Sequence, residues 1–302
     1  MNIITLTTDW GILDNYSAIF KVHLLREDAA LQLIDITHQV PPNDVCRAAF
    51  LVKTAYRYFP KNSIHIVDIS WLHPESQLKY RNTLKNGADA VGKLPFMHYL
   101  AFRYDNHYFL CENNGFIPLL RDKIEIEEIV KLPTDERYVN FKTFKAIPYY
   151  VKASANLAKG VPLAEIGEKY DMHRIETIPD EPPPIVTKNE IGDIISFRGQ
   201  HVDNYGNIIT NLTKEKFEEV AKGRKHFDFY NSTLGKFKEQ RIVDTYNDGN
   251  ETLSFLFGHS QYLEIWMKYY PLAKFILGQG ANHNKLDLKF TIFFKKAEVE
   301  ND

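Results

Sequence analysis

Strand and helix patterns alternate through the first seventy residues, and that order leaves few folds open to the chain. Ile3 to Thr8 is a short β-branched run that reads as a strand. Asn15 to Arg26 carries apolar residues at Ile19, Phe20, Val22, Leu24 and Leu25, the spacing of a helix laid on a sheet. Leu31 to Ile36 is a second buried-strand pattern. Pro41-Pro42-Asn43-Asp44 then supplies a turn, with Asn43 and Asp44 as candidate helix caps. Val45 to Phe59 is a strong helical pattern that Pro60 ends, and Ser63 to Ile69 is a third strand. A β-α-β-α-β order predicts a mainly parallel sheet with helices on its faces.

The segment from Ser70 to Phe96 breaks this rhythm. It is polar and irregular and reads as an insertion over residues 70–97; loops of this length inside a compact domain commonly carry function. His98 to Tyr104 and His107 to Cys111 form a hairpin pattern around Asp105-Asn106. Ile147 to Lys159 is a further helical pattern, despite Pro148 near its start. The prolines at 179, 182, 183 and 184 make a stiff, extended stretch, so residues 178–190 are expected to link two domains. An α/β domain is expected over 1–177. Beyond the linker the strands are short: Ile194–Val202, Asn207–Leu212, His226–Asn231, Leu253–Phe257, Tyr262–Met267 and Leu286–Phe294, with one clear helix at Lys214–Lys222. Residues 191–302 are therefore expected to form a small all-β barrel or sandwich.

Composition narrows the classes. At 302 residues and 44% hydrophobic content the chain can bury a large core, which excludes disorder. Lys+Arg of 37 against Asp+Glu of 39 leaves a net charge of −2, so no basic field points to nucleic acid. Cys46 and Cys111 can make at most one bridge, which excludes a disulfide scaffold and suits a reducing cytoplasm. The opening Met1–Asp9 lacks a basic segment and a long apolar core, and no run reaches bilayer-spanning length, so neither export nor a membrane is expected.

The familiar phosphate, dinucleotide, nucleophile-elbow and zinc-protease motifs are absent. The eleven histidines show no metal-ligand spacing, so no metal is expected. What stands out is a set of carboxylates at strand ends: Asp9 after the first strand, Asp35 (with His38) at the second, Asp68 at the third. In parallel α/β sheets ligands bind at the carboxyl ends of strands, and a carboxylate can accept from both hydroxyls of a vicinal diol. A single strand-end Asp more often caps the turn that follows it; three on successive strands make a shared crevice equally plausible. The second dense constellation is Asp203-Asn204-Tyr205-Gly206-Asn207, followed by Thr210-Asn211. It is first a turn signal, yet an aromatic ring beside an amide is also how a purine is held.

These segments, in this order, resemble the SAM hydroxide adenosyltransferase family, which includes fluorinases and chlorinases. Thr7-Thr8-Asp9-Trp10-Gly11 with Asp14 and Tyr16 is similar to its opening motif. Asp35-Ile36-Thr37-His38 through Pro41-Pro42-Asn43-Asp44, Phe59-Pro60 through Asp68, Asn113-Asn114-Gly115, Asp203 through Asn211, and Tyr262-Leu263-Glu264-Ile265 after Ser260 match further family segments. The resemblance implies an N-terminal α/β domain, a C-terminal β-barrel and a homotrimer with sites between subunits. It implies S-adenosylmethionine as substrate or ligand, with no separate cofactor. Asp9 would hold the ribose diol, Tyr205 and Tyr246 would sandwich the adenine, Asn207 would read its edge, and Asp203 would hold the methionine ammonium. Asp14, Asn43, Phe144 and Ser260 join the implied binding set. The implied chemistry is attack of water or halide at the ribose 5′ carbon, with methionine leaving as a neutral thioether. In the hydrolase branch an Asp, an Arg and a His surround the nucleophile. Asp68 keeps the Asp, but Met97 falls near the Arg position and Lys145 at the His position, so two of the three are missing. His73, His98 and Lys145 are candidate substitutes. Hydrolysis to adenosine and methionine is therefore the leading expectation. The alternatives are a non-catalytic S-adenosylmethionine or adenosine binder and an enzyme acting on another adenosyl compound.

Overall fold

The computed structural model describes residues 2–69, 78, 81–83, 85, 98–121, 124–138, 140–141, 144–178, 182–278 and 288–296. The expected insertion at 70–97, with His73 and Met97, lies almost wholly outside the described residues. The chain divides into two compact units, Met1–Asp180 and Glu181–Asp302.

In the first unit the strands are β1 (Ile3–Thr8), β2 (Gln32–Thr37), β3 (Ile64–Asp68), β4 (Tyr99–Tyr104), β5 (His107–Glu112), β6 (Glu128–Lys131) and β7 (Glu168–Lys169). They form one sheet in the order β2-β1-β3-β5-β4-β6-β7. The half from β2 to β5 is parallel, while β4 pairs antiparallel with both β5 and β6, and β6 with β7. The sheet is thus mixed rather than mainly parallel. The cause is the tight β4–β5 hairpin: Asp105 and Asn106 both take positive φ (49° and 60°), the geometry a two-residue hairpin turn needs, and reverse the chain. Helices α1 (Tyr16–Glu27) and α2 (Val45–Ala55) cross between the parallel strands. After α3 (Phe116–Leu120) come α4 (Ala146–Ala158) and α5 (Leu163–Ile166).

Period-two alternation decides which face each strand residue covers. Ile4, Leu6, Ile64, Ile66 and Leu110 pack with Phe20 and Leu24 of α1 and Ile147, Tyr150 and Val151 of α4. Val67, Phe102, Phe109 and Cys111 pack with Val45, Ala48, Ala49 and Val52 of α2 on the other face. Asp44 caps α2 by accepting from the Arg47 N–H at 2.8 Å, and burial of each large side chain contributes about 1.5–3 kcal/mol. Val45 to Phe59 does not stay α-helical throughout: it tightens to a 3₁₀ turn at Tyr56–Tyr58 before Pro60.

A polar pair lies inside this second face. His65 Nδ1 is 2.7 Å from the Thr5 hydroxyl, and His65 Nε2 is 3.2 Å from His107 Nδ1. Both imidazoles are fully buried among Tyr56 and Phe109. Burial, reinforced at His65 by its neighbour His107 and at His107 by Lys61, holds them neutral, with pKa values lowered to about 3 and about 4. Unfolded imidazoles take up protons near pH 6.5, so stability is lost as the pH falls below that value toward 4. Thermal melts are expected to show a midpoint that drops through this window. A midpoint independent of pH between 6.5 and 4 would contradict a buried neutral pair.

The second unit holds β8 (Ile185–Lys188), β9 (Gly192–Val202), β10 (Ile208–Thr213), β11 (His226–Asn231), β12 (Gly235–Arg241), β13 (Ser254–Phe257), β14 (Tyr262–Trp266) and β15 (Lys289–Lys295). Their order is β12-β11-β15-β9-β10-β14-β13, with β8 on β9, and every named pairing is antiparallel. A bridge between Ile242 and Phe255 brings the two ends of that order together, so the sheet is nearly a barrel. Clean alternation in β15 buries Phe290, Ile292 and Phe294 and turns the intervening residues outward. The unit is not all-β: α6 (Lys214–Ala221), capped by the Thr213 hydroxyl, buries Phe217 and Val220, and α7 (Leu272–Leu277) buries Leu272 and Ala273. Strand β8 also occupies part of the stretch expected to be linker; its backbone pairs with β9 once the prolines end.

Candidate functional site

Strand register gathers the first group of side chains. Strand β1 lies between β2 and β3, so consecutive crossovers leave it in opposite directions, and a crevice opens at the carboxyl ends there. Thr8 pairs with Asp68, which places Asp9 one residue beyond β1 and Asp68 at the tip of β3. Asp9, Trp10, Tyr16, Asp68, Glu112, Phe144, Lys145 and Ala146 line a cleft of about 310 Å³ at this point. Ala146 opens α4, so that helix presents its N-terminal end to the cleft.

Trp10 organises the wall. Its indole N–H donates to Asp68 Oδ2 at 2.9 Å. Its ring stacks on His38 at 5.9 Å and meets Phe20 and Phe144 edge-on at 5.3 and 4.9 Å. Tyr16 meets Phe144 edge-on at 5.3 Å. His38 is held in turn, with Nδ1 2.8 Å from the Thr8 hydroxyl and Nε2 3.1 Å from Asp35. The strand-end Asp35 is thus occupied with His38 and Lys21 rather than with the cleft.

Asp68 is 5% exposed. Burial pushes its carboxyl up to about 7, against the Trp10 hydrogen bond that lowers it, and Asp9 adds a like charge that raises it. Burial also raises Asp9, opposed by the Asn43 N–H that donates to Asp9 Oδ2 at 3.0 Å. Asn43, at φ 65°, holds Asp9 through its backbone and is not itself part of the lining. Asp14 lies exposed in the turn before α1 and is not part of the lining. His98 is buried, with Nδ1 3.0 Å from the Tyr170 hydroxyl, and does not line the cleft. Lys145 does line it.

The second unit gathers a group of its own. Asp203 Oδ1 accepts from the backbone N–H groups of Tyr205 and Asn207 at 2.9 and 2.8 Å, and Oδ2 accepts from the Asn207 side-chain amide at 2.9 Å. The turn reading of this segment is therefore right for the carboxylate, which staples its own loop. The Tyr205 ring stands 80% exposed beside that loop. Tyr246 donates to Glu264 Oε2 at 2.5 Å and packs edge-on against Trp266 at 5.1 Å. Its hydroxyl also exchanges a hydrogen bond with Asn207, and burial followed by Glu264 raises its pKa. Ser260 lies in the turn before β14, where its Oγ accepts from Tyr262 N at 3.4 Å.

Glycine shapes this group. Gly206 has φ +84°, and a Cβ there would lie 2.5 Å from the Pro271 side chain. Gly206→Ala is expected to lower stability by about 1–3 kcal/mol through positive-φ strain and overpacking. Denaturant unfolding measures it, and an unchanged midpoint would contradict the packing described.

Trp10, Tyr16 and Glu112 line the cleft and Glu264 holds the Tyr246 hydroxyl, although the sequence reading gave none of the four a site role. Glu112 carried a usable signal, since it closes β5 as Asp68 closes β3; it was hidden by the turn residues that follow it. Among the described residues no cluster of three or more His, Cys, Asp or Glu could hold a metal ion, and no helix is long and apolar enough to cross a membrane.

Residues 4–77 match the SAM hydroxide adenosyltransferase N-terminal domain, and residues 199–270 match the C-terminal domain of the same family. An (R)-S-adenosyl-L-methionine hydrolase of Methanocaldococcus jannaschii is 25% identical over 248 residues, covering 81% of this chain and 76% of the relative. A fluorinase of an Actinoplanes species is 22% identical over 234 residues, covering 73% of this chain and 75% of the relative. The fold is shared with a solved structure of an uncharacterised conserved protein from Thermotoga maritima, with a TM-score of 0.75 at 20% identity over 96% of this chain and 99% of that one.

Proposed function

We propose that this chain, which carries the N- and C-terminal domains of the SAM hydroxide adenosyltransferase family, binds S-adenosylmethionine and hydrolyses it to adenosine and methionine. The observation that carries the reading is the cleft itself: strand-end carboxylates Asp9 and Asp68 face aromatic rings of Trp10, Tyr16 and Phe144. A sulfonium cation is favoured by both kinds of group, through charge and through the ring faces. Water attacks the ribose 5′ carbon, the carbon–sulfur bond breaks, and its electron pair stays on sulfur as methionine leaves neutral. The leaving group needs no proton, so positioning, exclusion of water and removal of the nucleophile's proton are what the protein supplies. Asp68, buried and held in place by the Trp10 indole, is the base in this reading. Asp9 accepts from the ribose diol, and in the homotrimer Tyr205, Asn207 and Tyr246 of a neighbouring subunit hold the adenine. Assembly as a homotrimer and a cytoplasmic location are part of the proposal.

The relatives named as hydrolases are named for the (R) sulfonium epimer, so both epimers belong in the test. Calorimetry is expected to detect binding of at least one epimer. Asp9→Ala is expected to weaken that binding about 10-fold or more, the scale of a lost charge-assisted hydrogen bond. Unchanged affinity would remove Asp9 from the ribose site. A second reading, binding without turnover, is favoured by one observation: the candidate substitute His98 points to Tyr170 and is not in the cleft. Tight binding with no adenosine released would select it.

A further inference from the structure

Glu112 shares the cleft with Asp68, and nothing in the triad implied by the resemblance accounts for it. Strands β3 and β5 are parallel neighbours in the register Ile64↔Tyr108 through Val67↔Cys111. The next residues in that register are Asp68 and Glu112, one strand spacing apart, about 4.8 Å, and both side chains line the same cleft. Three neighbouring groups sense both carboxylates: after burial, Asp68 and Glu112 each push up the Tyr99 hydroxyl, the Tyr150 hydroxyl and the Cys111 thiol. Glu112 is also fixed in place. The Tyr99 hydroxyl hydrogen-bonds to it, and the Tyr99 ring is stacked on Tyr149 at 3.8 Å and meets Tyr150 edge-on at 5.5 Å.

We infer that Glu112 and Asp68 act as one two-carboxylate base, sharing a proton before reaction and taking a second from the attacking water. Carboxylates on adjacent strands that share one cleft, Asp68 buried and Glu112 partly buried, do not both ionise readily, so one proton stays with the pair. When water oxygen bonds to the 5′ carbon, the carbon–sulfur pair departs with methionine. The proton released by the water enters the pair, whose charge goes from −1 to zero, and solvent later removes it. The Glu112 carboxylate thereby supplies a function that the chain has lost with the Arg and His of the implied triad. Among the described residues, the other ionisable groups lining the cleft or interacting with the pair are Asp9, Lys145, Tyr16, Tyr99, Tyr150 and Cys111.

The inference rests on the hydrolase reading for its chemistry, so its test has a readout that needs no turnover. The Trp10 indole N–H donates to Asp68, so its NMR resonance, assigned with Trp10→Phe, reports Asp68 ionisation. The wild-type resonance is expected to titrate in two steps. In Glu112→Gln it should titrate in one step, at lower pH than the upper wild-type step, because the charge of Glu112 is gone and only that of Asp9 still raises Asp68. Adenosine release by Glu112→Gln should fall about 100-fold or more, the usual scale for a lost base, while calorimetric affinity for S-adenosylmethionine changes less than threefold. A single wild-type step unmoved by Glu112→Gln would overturn the shared proton. Wild-type turnover in Glu112→Gln would overturn the base role. If the wild-type protein releases no adenosine, the hydrolase reading and the base role fail together, and the indole titration still decides the shared proton by itself.

Discussion

Asp68→Asn is expected to stop adenosine release and to make the folded protein more stable at pH 8. The two effects have one cause. Asp68 is buried at the tip of β3, and burial lifts its carboxyl to about 7 from an ordinary value of 3.8. Such a group is poised to take a proton at neutral pH, and a lost base typically costs about 10²–10⁴ in rate. The same shift carries a stability cost. The folded state favours the protonated carboxyl, so the contribution of Asp68 is fully present below pH 3.8 and is lost as the pH rises through 7. Asn has no charge to bury, which at pH 8 is worth on the order of a few kcal/mol. This slope opposes that of the His65–His107 pair, so in the variant the fall in stability on acidification should be steeper than in the wild-type. Thermal melts at pH 5 and pH 8 read both. A variant less stable than wild-type at pH 8 would mean that Asp68 is held as a well-paired anion, contrary to its surroundings.

Trp10→Ala is expected to damage both stability and the site. Replacing a core aromatic residue by Ala costs about 3–5 kcal/mol; Trp10 is only partly buried, so the lower part of that range applies. The lost contacts are the stack on His38 and the edge contacts to Phe20 and Phe144. Trp10→Phe separates packing from hydrogen bonding. It keeps a ring in place but removes the donor that lowers Asp68, so its melting temperature should stay near wild-type while Asp68 rises further. The base must be ionised to act, so the low-pH limb of the rate profile should move to higher pH. A profile identical to wild-type would show that the indole bond does not tune Asp68.

Much of the fold is legible in the sequence because local signals and burial agree. Ile3–Thr8 is a strand by composition and by burial on both faces, and Asp44 caps α2 where the Pro41-Pro42 turn places it. The sheet's antiparallel half is harder to read, since β6 and β7 are four and two residues long and carry little periodicity. Strand β12, Gly235–Arg241, is mostly polar and lies at the end of its sheet, where no core pattern marks it. The site follows the same rule. Asp9 and Asp68 announce themselves at strand ends, and Asp203 through Asn207 by turn chemistry. The placing of Glu112 and Glu264 needs three dimensions: one comes to its neighbours through the register of β5 on β3, the other through the Tyr246 hydroxyl that reaches it from a separate loop.

In the proposed reaction water displaces methionine at the ribose 5′ carbon, and Asp68 is required. Incubation of the protein with each S-adenosylmethionine epimer in ¹⁸O-labelled water, followed by chromatography and mass spectrometry, follows the attacking oxygen itself. The expected result is methionine and adenosine carrying one ¹⁸O at the 5′ hydroxyl, with none formed by Asp68→Asn. Adenosine no more abundant than in the Asp68→Asn control, or adenosine without the label, would contradict it.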